Sequence, residues 1–187
     1  MIVQLSDGWA VALSSVVWAL SSVAVGLVAN RWPQERLART GPLTRVRAWE
    51  RDGAWWNRHL RVRRWRDAIP EAGSMFGGYS KRHLRSRASA DLERFARETV
   101  RAERVHWLLL GSTLLHLVWC RPAIFAGMAA FGVVANVPFI VVQRANRGRL
   151  ERLLRRRATG RRSPPAERGP TIARGASAPG PRTHPSP

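Results

Sequence analysis

Long apolar stretches alternate with dense blocks of charge along this chain. Residues 8–30 read GWAVALSSVVWALSSVAVGLVAN, 23 residues without a formal charge. At a rise of about 1.5 Å per helical residue, such a run spans a hydrocarbon core of about 30 Å. The preceding MIVQLSD is acidic where a cleaved signal peptide wants basic residues. Residues 1–30 therefore read as an uncleaved transmembrane anchor, with a signal peptide as the alternative. Residues 105–120 form a second apolar run, Arg121 and Pro122 mark a turn, and residues 122–142 form a third run. Together they predict a hairpin over 105–143. Its first arm, at about 16 residues, is short for a full crossing, so a re-entrant hairpin is the alternative to two spans.

The polar segments divide the rest. Residues 31–104 hold Trp32, Trp49, Trp55, Trp56 and Trp65, too many large aromatics for a disordered linker. Trp beside Arg and Leu suits a surface at the level of lipid headgroups. Val46–Arg66 predicts one amphipathic helix or two short ones, broken by Pro70 and by Gly73, Gly77 and Gly78. Ser89 suits an N-cap, and Asp91 and Glu93 suit the first turn of a helix from about Ala90 to Trp119. That helix is charged in its first half and apolar in its second. Residues 144–157 (RANRGRLERLLRRR) predict a juxtamembrane basic helix, and residues 158–187, with seven Pro and four Gly, a disordered tail.

Charge orients this arrangement. The chain has 32 Lys+Arg against 12 Asp+Glu, a net charge of +20, yet 45% of its 187 residues are hydrophobic. Nineteen of the bases lie in 31–104 and twelve in 144–187, so charge and apolar content are segregated rather than mixed on one globular surface. Only Lys81 is a lysine, a bias read as the coding genome's. The positive-inside rule puts both basic regions in the cytoplasm, which requires an even number of crossings between them. The expectation is an all-α integral protein of the cell membrane with about three transmembrane helices. Its N-terminus lies outside, and its 31–104 region and tail lie inside. The single Cys120 excludes an intrachain disulfide.

No phosphate-cradling glycine loop, G-x-S-x-G elbow or H-E-x-x-H pair is present, and no His is followed five residues later by Asp. The five histidines are not spaced as a metal cluster, and no cofactor is implied. What remains is a polar group where the hairpin meets the cytoplasm. Glu98, Arg101, Glu103, His106 and Trp107 lie at the start of one arm, and Asn136, Gln143, Arg144, Asn146, Arg147 and Arg149 at the end of the other. Glu103 and His106, three apart, share a helix face, where a carboxylate can hold an imidazole's tautomer. The bland reading is an interfacial ion pair with positive-inside arginines. Asn136 is harder to dismiss, because an amide within a span needs a partner or a task. His116 reads as a packed residue and Cys120 as a structural one.

Two blocks carry a resemblance. E-T-x-R-A-E-x-x-H-W (Glu98–Trp107) and N-x-P-x-I-x-x-Q-R-x-N-R-x-R-L (Asn136–Leu150) follow the segment RAWERDGAWWNRHLRVRRWRDAIPEAG. In this order and spacing, over residues 45–155, they resemble the glycosyl-4,4′-diaponeurosporenoate acyltransferases, small membrane acyltransferases of staphyloxanthin-type carotenoid synthesis. Ala145 stands where such families often have Tyr. The resemblance implies an enzyme that esterifies a sugar hydroxyl of a glycosylated carotenoid with a fatty acyl group from an acyl-CoA-type donor.

Chemistry then assigns the roles. His106, oriented by Glu103 or Glu98, is the candidate base. Asn136 or Asn146 would donate to the oxyanion. Arg144, Arg147 and Arg149 would meet donor phosphates, with Gln143 and Trp107 beside them. The rival is a non-enzymatic membrane protein that binds anionic lipid or a partner through its basic regions. Nucleic-acid binding by the basic tail is the weakest of the three.

Overall fold

The structure, a computed structural model, describes residues 3, 5–50, 52–68 and 89–162. The expected break at Pro70–Gly78 and most of the expected tail lie outside these residues. Helix α1 (Asp7–Asn30) is followed by α2 (Gln34–Ala38), a 3₁₀ turn at Ala48–Glu50, α3 (Ala54–His59), α4 (Val62–Trp65) and a second 3₁₀ turn at Arg66–Ala68. Then come α5 (Ser89–Ser112), a 3₁₀ segment at Thr113–Val118, and α6 (Pro122–Arg162). Among the described residues there is no strand.

The apolar runs set the frame. α1 starts with Asp7 in its first turn, which suits the positive end of the helix. It buries one stripe, Ala10, Ser14 and Trp18, against the α5–α6 hairpin and exposes Val11, Val16, Leu20, Val23 and Leu27. α6 likewise exposes Phe131, Val133 and Val134 while burying Gly132 and Asn136. Along α1 and the first half of α6 most large aliphatic side chains face out, and Ser14, Gly132 and Asn136 face in. A water-soluble core has the opposite arrangement, whereas helices packed in lipid have this one. α1 and α6 are each long and apolar enough to cross a membrane, and only 6% and 22% of their apolar windows are buried.

The single long helix expected from Ala90 to Trp119 is instead two pieces. α5 ends at Ser112, whose hydroxyl donates to the Leu109 carbonyl at 2.7 Å, and the chain tightens to 3₁₀ geometry. A side-chain hydroxyl competing for backbone carbonyls distorts a helix in this way. Six residues of 3₁₀ helix cover about 12 Å where α-helix would cover about 9 Å, which lengthens the short arm. The expected boundary at Gln143 is also absent: α6 continues through Pro138 and the basic segment to Arg162, into the stretch whose composition reads as tail. At about 1.5 Å per residue its 41 residues reach about 60 Å, twice a hydrocarbon core.

The Trp-rich region folds against that basic half as short helical pieces. Val62 packs with Val141, Val142 and Ala145, beneath Trp56 and Trp65. Ala145, the position where a Tyr was noted as common, is thus buried under α4. Two glycines permit the approach. A Cβ on Gly53 (φ 82°) would lie 2.5 Å from the Ala145 carbonyl oxygen, and one on Gly148 would lie 2.5 Å from the Gly53 nitrogen. At the other end of the hairpin, Ala10, Trp119 and Cys120 pack with Val17, Ile124 and Phe125.

Candidate active site

Among the described residues, Glu50, Glu103, Arg144 and Arg147 form a buried ion cluster. Arg144, on α6, donates from all five guanidinium N–H positions. Its Nε (3.3 Å) and one Nη reach Glu50, and the other Nη reaches Glu103 at 2.8 Å and the Leu43 carbonyl at 2.6 Å. The fifth bond goes to the Arg45 carbonyl at 3.1 Å. Arg147, one turn on, meets the second Glu103 oxygen at 2.6 Å and the Thr44 carbonyl. Glu50, Glu103 and Arg147 are 0%, 0% and 1% exposed. Two buried carboxylates face two guanidiniums, and the half-buried Glu151 lies 4.0 Å from Arg147, so every buried charge has an opposite partner, the condition under which buried charge is tolerable. Burial alone would push the Glu50 carboxyl up. Hydrogen bonds from Arg144, the Trp56 indole (2.9 Å) and the Arg47 amide outweigh this and hold it below its ordinary value.

Arg144 and Arg147, expected to bind donor phosphates, are therefore interior residues. All five Arg144 donors are spent, so none is left for a ligand, and Arg147 is 1% exposed, turned inward to Glu103 and the Thr44 carbonyl. Glu103 is likewise not the orienting partner of His106; its oxygens are taken by Arg144, Arg147 and the Trp107 indole at 3.2 Å. Glu98 pairs with Arg101 at 2.8 Å and accepts from Gln34 at 3.3 Å, which ties α2 to the charged half of α5. Arg149 is exposed and Gln143 and Asn146 are half-buried on α6.

His106 has a different partner. Its Nδ1 lies 3.0 Å from Asn136 Oδ1, across the α5–α6 interface, and its ring stacks on Phe139 with centroids 4.5 Å apart. The Asn136 amide nitrogen donates to the Gly132 carbonyl at 2.9 Å, which fixes the way the amide points. Its oxygen must then accept from the imidazole, so Nδ1 carries the proton and Nε2 keeps its lone pair. The half-buried ring thus keeps an acceptor nitrogen one turn from Glu103 of the charged cluster. Asn136, expected as an oxyanion donor, spends its oxygen and one N–H on this alignment.

These residues lie in a segment with known relatives. The sequence profile described as glycosyl-4,4′-diaponeurosporenoate acyltransferase matches residues 41–156, more than half of the chain. The chain belongs to this family. The glycosyl-4,4′-diaponeurosporenoate acyltransferase of Staphylococcus haemolyticus (strain JCSC1435) is 30% identical over 140 residues, 74% of this chain and 81% of that protein. That of Staphylococcus aureus (strain bovine RF122 / ET3-1) is 29% identical over 142 residues, 75% of this chain and 86% of that protein. No solved structure matches the chain. The matched segment of this family member contains both carboxylates and both guanidiniums of the cluster as well as His106 and Asn136; α1 lies before it.

Sequence reasoning missed Glu50, Thr44 and Trp56. Glu50 sits in A-W-E-R, amid arginines, where a carboxylate reads as a solvated counter-charge. The available signal was the block that carries the family resemblance, which includes Glu50 and Trp56. Among the described residues no group of three His, Cys, Asp or Glu could hold a metal ion.

Proposed function

We propose that this chain is a membrane-embedded acyltransferase that esterifies a sugar hydroxyl of a glycosylated carotenoid with a fatty acyl group. The observation that carries the reading is the family match over residues 41–156, which covers the whole α5–α6 site. The chemistry at His106 fits it. Nε2 takes the proton of the sugar hydroxyl as its oxygen attacks the acyl carbonyl. The bond to the donor's leaving group breaks, and the imidazolium returns the proton to that group. Asn136 is a positioning residue that keeps the lone pair on Nε2. The donor is an acyl thioester of the CoA type, whose phosphates are met by exposed Arg149 rather than by Arg144 or Arg147.

In this reading α1, the α5–3₁₀ arm and the apolar half of α6 are the three spans, and the basic half of α6 and residues 31–104 are cytoplasmic. The lipid-like exposure of α1 and α6 and the distribution of bases support it. Trp49, Trp55 and Trp56, packed with centroids 4.9–5.4 Å apart, together with exposed Leu43 and Leu60 of the same region, suit the headgroup level. A Cys replacing exposed Thr40, in a Cys120→Ser background, will resist a membrane-impermeant maleimide in intact cells and react after permeabilisation. Labelling in intact cells would refute this topology.

The second reading, a non-enzymatic protein that binds anionic lipid, draws on the same Trp and Arg surface. Mass spectrometry of pigments and glycolipids from cells with and without the gene separates the two. Loss of one acylated glycoside, with its unacylated precursor accumulating, is expected; unchanged glycosides would exclude the acyltransferase.

A further inference from the structure

A second polar group lies inside the hairpin, away from the ion cluster. Trp18 comes from the middle of α1, and Thr113 and His116 from the 3₁₀ segment. They are 9%, 4% and 0% exposed. Among the described residues no hydrogen-bond partner meets Trp18 Nε1, Thr113 Oγ1 or His116 Nε2. Three such atoms in one apolar interior demand a ligand, because each costs far more to bury alone than paired.

The three converge. Positions i and i+3 eclipse in a 3₁₀ helix, so Thr113 and His116 present the same face. The rings of Trp18 and His116 have centroids 6.2 Å apart. Gly132 of α6 lies against both remaining members: a Cβ there would be 2.6 Å from Thr113 Oγ1 and 3.2 Å from Trp18 Cζ2, on the indole edge that carries Nε1.

Their proton arrangement selects the ligand. His116 Nδ1 lies 3.1 Å from the Thr113 carbonyl oxygen, which can only accept, so Nδ1 is protonated and Nε2 is an acceptor. Trp18 Nε1 is a donor, and the Thr113 hydroxyl serves either way. A group that fits must accept from the indole and donate to the imidazole. An ionised carboxylate or a phosphodiester lacks the proton, and an ammonium lacks the lone pair. We propose that Trp18, Thr113 and His116 form a buried site for one hydroxyl oxygen, that of water or of a lipid alcohol. Phe131, edge-on to Trp18 at 5.5 Å and 57% exposed, lies on the lipid side, where an alcohol's chain would leave.

The test is the sign of a stability change in the full chain. Thr113→Val removes one polar atom and keeps the shape of the side chain. Melting is measured in nanodiscs of phosphatidylcholine, which has no hydroxyl, with and without n-dodecanol. A hydroxyl held at the site makes Thr113→Val melt about 2–4 °C below the parent. A fall in both bilayers identifies water, and a fall only with n-dodecanol identifies a lipid alcohol. An orphaned hydroxyl is better replaced by a methyl group. An unchanged or raised melting temperature in both bilayers would therefore overturn the proposal. Trp18→Phe, which removes the indole donor, is expected to repeat the sign.

Discussion

An Arg144→Met variant will lose a large share of the protein's stability and accumulate poorly, measured as monodisperse protein by size exclusion in detergent. Arg144 ends five hydrogen bonds, and its loss leaves Glu50 and one Glu103 oxygen buried without their main cation. Breaking a buried pair by removing one partner costs about 3–5 kcal/mol, against a total stability of about 5–15 kcal/mol for a typical domain. Leu43, Arg45 and Glu50 would lose their bonds to α6 together, since these run through Arg144, and only the Thr44 carbonyl would keep its bond from Arg147. Arg149→Met, on the exposed face of the same helix, is the control and will change stability by no more than about 0.5 kcal/mol. Acid tests the same cluster. Glu50 is held below the ordinary carboxylate value, so its contribution is complete at neutral pH. It is lost only as pH falls below about 4.5, towards the folded-state value. Normal yield and melting temperature of Arg144→Met would show that the cluster does not hold residues 43–50 to the hairpin.

The structure sets Glu103 and His106 of one arm against Arg144, Arg147 and Asn136 of the other, but pairs them differently from the sequence reading. Segregated charge and apolar runs were enough to predict that the start of one hairpin arm and the end of the other carry a shared polar group. Pairing was read from helix spacing, and spacing only offers partners on the same helix. It matched Glu103 with His106, three residues away, whereas the true partners of Glu103 on α6 are 41 and 44 residues further on. Both readings obey local rules; desolvation decides. A fully buried carboxylate takes the strongest cations within reach, and a neutral imidazole is then left to an amide. Glu50 was illegible for a related reason. Nothing in a run of Trp and Arg marks the one acid that folds inward, because its burial depends on α6 lying over Gly53. The 3₁₀ segment was also hidden, since Thr-Leu-Leu-His-Leu-Val has the composition of an ordinary apolar helix.

The other large effect is expected at His106. His106→Ala will insert and accumulate like the parent while acyl transfer falls by about 10²–10⁴, the usual range for removing a general base. The ring is half-buried, with one hydrogen bond to Asn136 and one stacking contact with Phe139, so the folded state loses two neutral contacts worth about 1 kcal/mol each. Asn136→Leu separates positioning from chemistry. The side chain holds Nδ1–H and is itself anchored to the Gly132 carbonyl, so without it either ring nitrogen can carry the proton. A fraction of molecules then present N–H where the sugar hydroxyl needs a lone pair. kcat should fall by less than in His106→Ala, with KM for both substrates unchanged, whereas a purely structural role would lower the amount of folded protein instead. Full acyl transfer by His106→Ala, at parental expression, would remove the imidazole from the mechanism and move the search to the half-buried Gln143 and Asn146.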